Sequence, residues 1–590
     1  MEIQNILKKH IADSFSKLFN EPVNENLLKL EITSKDHKGD YTFVVFPFLK
    51  ISKLKPEDTA TTIGNFIKTE CEYISNFNVV KGFLNFELSD RFWLDFLKNN
   101  FENINYGKIE DGKGTTIMVE YSSPNTNKPL HLGHLRNNLL GYSISEILKF
   151  SGNKVITANL INDRGIHICK SMFAWLKGNG ETPESSGLKG DHLVGKYYVE
   201  FDKIYRKEIE ELKLKGMPED EAKKIAPSIL EAQQMLVKWE QNDPEVINLW
   251  KKMNGWVYDG FEQTYKRLGV NFDKYYYESN TYLLGKDLIN EGLKSSVFIK
   301  ENDGSIWIDL TADGLDRKLV LRADGTSVYI TQDIGTAQLK YDDTKMDKSI
   351  YVVGNEQDYH FKVLKLILQK LKKPYADGIY HLSYGMVDLP HGKMKSREGT
   401  VVDADELMDQ MHTTAAELTA QLGKTEGYSH EELQSLYETI AMGALKYFLL
   451  KVEPTKRMLF NPEESIDFHG NTGPFIQYTF ARISSILRNV DTSIKVDTIC
   501  SLHESERELL SNISLFPQKI LLASQNYNPS VIANYAYEVA KSFNRLYHDL
   551  SILGETDFNI KMNRIALCKI SSMVIANSMK LLGIAVPERM

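Results

Sequence analysis

Four cysteines, Cys71, Cys169, Cys500 and Cys568, are scattered through 590 residues, and no two stand in a Cys-x-x-Cys pair. That spacing excludes a disulfide framework and the usual structural zinc sites, and it leaves buried, inert thiols. No apolar run approaches the roughly 18–20 residues of a membrane span, so no membrane partner is expected. The first ten residues have neither the apolar core of a secretory signal nor the Arg/Ser-rich composition of a transit peptide, so the cytoplasm is the expected compartment. An excess of positive charge is missing too. The formal net charge is −8, so any nucleic-acid binding must rest on local basic surface rather than on the sum. No repeat of 20–50 residues and no low-complexity tract is visible.

The chain is long enough for several domains. Residues 1–107 read as a small α+β unit, with a helical pattern through Ile6, Ile11, Phe15 and Leu18 and strand-like runs at 41–45 and 82–86. Three glycines among charges make 107–114 a linker. Residues 113–390 read as an α/β domain. A buried strand at 115–121 precedes a helix with Leu140, Ile144, Ile147 and Leu148 on one face, which stops at Ser151-Gly152, and the next strand is 154–161. Strand–helix–strand predicts a parallel sheet, with ligands at the carboxyl ends of its strands. A charged helical insertion interrupts the alternation at about 176–265, and it resumes at 306–310, 318–322 and 349–353. Residues 391–430 form a loop-bearing connection, and 431–590 are helical.

The segment 119–139 carries the sharpest chemistry. A strand and a Pro-bracketed loop open into a helix at His131-Leu-Gly-His134. A helix N-terminus offers unpaired N–H groups and a favourable dipole to a phosphate, two imidazoles add donors, and Gly133 lets a flat ring approach the backbone. These residues point to a nucleoside triphosphate. A second segment, 391–402, places Lys393, Lys395 and Arg397 between Gly392 and Gly399. A flexible cationic loop suits closure over a triphosphate and stabilises a departing pyrophosphate.

Taken together, the two segments resemble those of the class I aminoacyl-tRNA synthetases. The longer stretch from Ser123 to Arg136 is similar to the arginyl family's version of the histidine motif. The resemblance continues through Arg322-Ala-Asp-Gly-Thr-Ser-Val-Tyr-Ile-Thr-Gln-Asp333, Gly354-Asn-Glu-Gln-Asp-Tyr-His360, Gly385-Met-Val387, the run from Asn471 to Arg482, and the ending Pro587-Glu-Arg-Met590. It implies a Rossmann-like parallel-sheet catalytic domain, an N-terminal α+β domain that contacts tRNA, and a C-terminal all-α anticodon-binding domain. It also implies ATP-dependent attachment of arginine to its tRNA, with activation that needs the tRNA present.

The resemblance carries roles residue by residue. His131, Gly133, His134, Met386, Lys393, Lys395 and Ser396 would bind ATP. His131, His134, Lys128 and Lys393 would act on the phosphates. Ser123, Pro124, Asn125, His134 and Gln357 would hold the backbone end of arginine, and Tyr329 and Asp333, with Glu278 as a second acid, its guanidinium. An acid and an aromatic face suit a planar five-donor fork, which lysine does not reproduce. Phe475 and Tyr478 are the tRNA-stacking candidates. Mg²⁺ is expected with ATP, without a dedicated protein cage. A monomer is expected.

Two departures stand out. The loop reads Lys393-Met-Lys-Ser-Arg397 where the class pattern is Lys-Met-Ser-Lys-Ser, and Lys128 is the compensating lysine. Arg164 stands where the family has tryptophan, within Asn162-Asp-Arg-Gly-Ile-His-Ile168, which touches any role for Asp163 or His167. Other readings are a tRNA-independent nucleotidyltransferase, for which the helical C-terminal domain would be superfluous, and an inactive RNA-binding relative, against which the intact motifs speak. A different class I specificity is the third. The missing zinc spacing disfavours cysteine, and the acidic pocket disfavours glutamine and glutamate.

Overall fold

The computed structural model describes residues 2–34, 36–109, 114–388, 402–421, 427–490 and 493–590. Helix α1 (Glu2–Phe19) buries Leu7, Ile11 and Phe15 against an antiparallel sheet of order β1-β2-β4-β3, formed by β1 (Leu30–Ile32), β2 (Tyr41–Val44), β3 (Ile74–Val80) and β4 (Phe83–Leu88). Helix α2 (Pro56–Glu70) packs on β3 so closely that a side chain on Gly64 would meet the Phe77 ring at 2.5 Å. This is the expected α+β unit.

The central sheet has the order β12-β11-β5-β6-β7 and is parallel throughout. Its strands are β5 (Thr116–Glu120), β6 (Lys154–Ile161), β7 (Lys274–Tyr277), β11 (Lys348–Gly354) and β12 (Ile379–Tyr384). The chain winds from β5 one way through β6 and β7, then returns to the other side as β11 and β12. The strand order therefore reverses between β5 and β11, which opens a crevice at their carboxyl ends. Helix α3 (Leu132–Phe150) lies over this point. It lies close because Gly141 has no side chain: a Cβ there would sit 2.2 Å from the Tyr121 ring.

Two expected strands do not join that sheet. β9 (Ile306–Ile308) and β10 (Lys318–Leu321), with β8 (Ile299–Lys300), form a separate antiparallel sheet of order β10-β9-β8. The physical reason is connection length, since a parallel crossover needs about a dozen residues and usually an α-helix, and the short link after Ile308 holds only a single 3-10 turn, Thr311–Asp313.

The insertion is helical as expected. It contains α4 (Gly190–Leu214) and α5 (Pro244–Leu268), the latter running past the predicted end to a left-handed Gly269 (φ 67°). It has its own core of Leu193, Tyr197, Phe201 and Ile229. Helix α6 (Tyr329–Thr344) precedes β11. Helix α7 (Ala404–Gln421) packs along α8 (His430–Leu450), and α9 (Gly473–Arg488), α10 (Glu504–Ser514), α11 (Ser530–Asp549) and α12 (Phe558–Leu581), with a helix at Phe516–Asn526 between α10 and α11, belong to the helical domain. One strand intrudes on the expected all-helical region: β14 (Met458–Leu459) pairs in parallel with β13 (Val387–Asp388). Among the described residues no helix is long and apolar enough to cross a membrane.

Candidate active site

His131 occupies the N-cap of α3 and His134 its third position. The N–H of Gly133 donates to His131 Nδ1 at 3.1 Å, and the N–H of His131 donates to His134 Nδ1 at 3.2 Å. Each Nδ1 is therefore an acceptor, so each neutral ring carries its proton on Nε2 and offers one outward donor. The ring centroids are 3.9 Å apart. Burial and the neighbouring Lys128 push His131 down to about 4, and burial together with His131 holds His134 well below the ordinary histidine range. Both rings are neutral donors near pH 7. The space freed by Gly133 is taken by the His131 ring itself, 2.9 Å from where a Cβ would stand.

Upstream, Ser122 and Ser123 adopt left-handed backbone (φ 74° and 44°), a strained conformation for residues with a Cβ. Three buried groups hold it. Asn137 of α3 accepts from Ser122 N at 2.6 Å, the Tyr265 hydroxyl of α5 lies 2.6 Å from Ser122 Oγ, and Asn159 of β6 accepts from Ser123 N at 3.2 Å. Asn137 also donates to Val352 O at 2.7 Å, so one side chain spans the split between β5 and β11. Pro124 is buried and accepts from Asn162 N at 2.9 Å, while Asn125 is exposed and bridges to Asn162. The sequence reading missed these asparagines. Their signal was polar residues on otherwise apolar faces of α3 and β6.

A cavity of about 550 Å³ opens at the crevice, and it brings together Ser123, Tyr329, Asp333 and Gln357. Tyr329, 80% exposed, and Asp333 lie one turn apart on α6, and His360 contacts the Asp333 carboxylate at 2.5 Å. The floor was not foreseen. Glu120, at the end of β5, and Lys340, two turns beyond Asp333, form a buried ion pair that lines the same cavity, with the Tyr351 ring 4.9 Å from the ammonium. A lone acid closing an apolar strand was the available signal. Glu278 begins the short helix after β7, and burial pushes its carboxyl up to about 7, with Arg164 opposing and Asp163 and Asp333 adding to the shift. It does not border this cavity among the described residues.

The Asp163–Arg164 departure is a packing device. Asp163 accepts from Tyr258 at 2.8 Å and from the Ser279 hydroxyl at 2.7 Å. Arg164 lies 3.9 Å from the Tyr282 ring centroid and 5.4 Å from that of Trp239, and pairs with Glu240 at 2.6 Å. A guanidinium thus fills an aromatic niche by stacking, where an indole would by area. His167 contacts the Tyr198 hydroxyl at 3.1 Å.

A second cleft, about 610 Å³, borders Lys128, His131, His192, Lys196, Arg206 and Asp403. Burial lowers the Lys128 ammonium from its ordinary value. The chain just after the cationic loop returns here: Leu132 N donates to Val402 O at 3.1 Å and Ala404 N to Leu130 O at 3.0 Å. Asp191, His192 and Asp405 bring three ligand atoms within 4.8 Å of one another, but the Lys189 ammonium already contacts both carboxylates. Lys393, Lys395 and Ser396 lie outside the described residues. Met386 is half-exposed, and its segment is tied to α3 by fully buried Arg136, which donates to Gly385 O at 2.7 Å and Lys456 O at 2.9 Å.

In the helical domain, Tyr478, Arg482, Arg488, Tyr547, Arg589 and Met590 border a cleft of about 500 Å³. The Arg482 guanidinium lies 5.0 Å from the Tyr478 ring centroid and 4.9 Å from that of Tyr547. Phe475 is instead half-buried against Tyr537, with centroids 5.3 Å apart, and does not border it.

Residues 98–461 match the family described as tRNA synthetases class I (R), catalytic domain. Residues 476–590 match the DALR anticodon binding domain, and residues 5–88 the arginyl tRNA synthetase N terminal domain. A protein of Flavobacterium psychrophilum named arginine–tRNA ligase is 55% identical over 603 residues, covering 100% of each chain. One of the same name from Bacteroides thetaiotaomicron is 52% identical over 597 residues, again covering 100% of each. A solved arginyl-tRNA synthetase of Thermus thermophilus superposes with TM-score 0.77 at 24% identity over 100% of each chain, a likeness of fold.

Proposed function

This chain belongs to the arginyl-tRNA synthetases of class I, and we propose how its residues divide the family's chemistry. It is an arginine–tRNA ligase: it activates L-arginine with ATP to arginyl-adenylate, releasing pyrophosphate, and transfers the arginyl group to the terminal adenosine of its tRNA. The observation that carries the division is the 550 Å³ cavity at the strand reversal, which gathers the acids Glu120 and Asp333, the aromatic Tyr329, and the polar Ser123 and Gln357.

Arginine enters with its guanidinium toward Asp333, Tyr329 and Glu120. The buried Glu120 carboxylate pairs with Lys340, and His360 contacts the Asp333 carboxylate. Ser123, Asn125 and Gln357 face the α-amino and carboxylate groups. The carboxylate then attacks the α-phosphorus in line, with no protein nucleophile. Catalysis is positioning and charge stabilisation. The Nε2–H donors of His131 and His134 meet the charge that develops on the phosphates, and Lys128 supplies a cation from the adjoining cleft. Lys393, Lys395 and Ser396 would join from the loop, and Met386 would flank the adenine. Mg²⁺ would arrive with ATP, held by phosphate oxygens and water. The Asp191–His192–Asp405 group suits it poorly, because Lys189 already supplies the positive charge there.

The Tyr478–Arg482–Tyr547 cleft suits an unstacked anticodon base, which an aromatic face and a guanidinium plane both accept. On the N-terminal unit, exposed Phe46 and Phe83, with ring centroids 5.8 Å apart, suit a second RNA contact. Action as a monomer is part of this reading. The test is arginine-dependent ATP–pyrophosphate exchange with and without cognate tRNA. Exchange that requires tRNA is expected. Folded protein that binds tRNA but catalyses no exchange would support the inactive RNA-binding reading instead.

A further inference from the structure

Lys446, about one turn from the end of α8, is 6% exposed, and among the described residues no carboxylate lies within ion-pairing distance of it. Glu438 acts on it only from beyond contact, and a buried ammonium without a contacting counter-ion needs a further source of negative potential. It finds one in helix ends. Its Nζ donates to Gly583 O at 2.6 Å, just past the end of α12, and lies 3.5 Å from where a side chain on Gly269 would begin, just past the end of α5. Helix C-termini present unpaired carbonyls and the negative end of the dipole, so one cation serves two helices from different domains.

Each partner leads somewhere. Helix α5 carries Tyr265, which holds the strained Ser122, and Tyr258, which holds Asp163. Gly583 itself is left-handed (φ 69°), and a side chain there would meet the Tyr142 ring at 2.9 Å, on the same helix as His131 and His134. Beyond Gly583 the chain runs to the helical-domain cleft. Ala585 O accepts from Gln477, next to Tyr478, at 2.8 Å; Glu588 O accepts from Arg488 at 2.9 Å; and Arg589 and Met590 border the cleft.

We propose that Lys446 is a positioning residue for arginine activation, joining the C-terminal segment that borders the tRNA cleft to the two helices that hold the arginine turn and the histidine pair. The proposal rests on the reading of that cleft as a tRNA site. Occupying the cleft would bias the segment 583–590, and Lys446 with Tyr142 would pass that bias to α5 and α3. Met is close to Lys in volume, so K446M removes the charge without opening a cavity. G583A perturbs the same junction without touching the charge, through positive φ and the Tyr142 contact.

The experiment measures tRNA-dependent ATP–pyrophosphate exchange and, separately, tRNA affinity by filter binding, in K446M, G583A and R482A. For K446M and G583A a fall of about tenfold or more in kcat is expected, as for other small misplacements of reacting groups, with tRNA affinity unchanged. An unchanged kcat in whichever of the two folds would overturn the proposal. So would a loss of tRNA affinity matching the loss of kcat, because Lys446 would then belong to the tRNA site alone. R482A is expected to weaken tRNA binding. If it does not, the cleft reading fails and takes this route with it, whereas an effect of R482A without one in K446M or G583A rejects Lys446 and leaves the cleft reading standing.

Discussion

The backbone N–H of His131 donates to the ring of His134, so the second histidine caps the residue that itself caps the helix. Each imidazole spends its Nδ1 on structure and keeps its Nε2–H for a ligand. The pair is a helix terminus and, on the proposed reading, a two-donor anion site as well.

These two jobs are separable by mutation. Asparagine is a good N-cap, so His131→Asn should keep the cap, whereas alanine would cost about 1 kcal/mol of helix stability. Either His131→Asn or His134→Ala should lose about 2–4 kcal/mol of transition-state stabilisation, the scale of one oxyanion donor, read as the fall in kcat for pyrophosphate exchange. Near-normal exchange by His134→Ala would remove it from the chemistry.

The lowered His131 value has a signed consequence. An unfolded histidine takes a proton near its ordinary 6.5, while the folded one resists until about 4. Between those values the unfolded state binds more protons, so stability falls as pH drops through that window and is unaffected above it. Urea unfolding at pH 7 and pH 5 should show a larger loss in wild type than in His131→Asn. Equal losses would mean that the ring titrates as in water.

Asp333 lies on the cavity wall one turn from Tyr329 and beside His360. A charged hydrogen bond contributes about 1.5–3 kcal/mol, so Asp333→Asn should raise the KM for arginine by roughly ten- to a hundredfold and leave that for ATP near wild type. A matching rise in both would place Asp333 in general scaffolding.

Glu120 and Lys340 form the buried pair at the floor of the cavity. Removing one partner strands the other charge, which typically costs about 3–5 kcal/mol. Lys340→Met should therefore unfold at clearly lower urea, and adding Glu120→Gln should recover much of the loss. If the single variant is as stable as wild type, the pair contributes little.

Much of this protein was legible before any coordinates, because the signals were local. The strand at 154–161 has the predicted bounds, and α3 lies between its caps His131 and Ser151 because caps and apolar periodicity act within a few residues. Tyr329 and Asp333 share the cavity because a four-residue spacing on a helix puts both on one face. Local periodicity could not say which strands pair, so β9 and β10 were placed with the parallel sheet, while their short connection allowed only an antiparallel one. It could not reveal Glu120 beside Lys340, Asn137 spanning β5 and β11, or Arg164 stacked on Tyr282, since each joins residues distant in the chain. The sequence by itself determined most of the elements, the histidine pair that opens α3 and the family. Tertiary structure alone decided which buried charges find partners, because that depends on which chain segments meet after folding and how far water is excluded where they do.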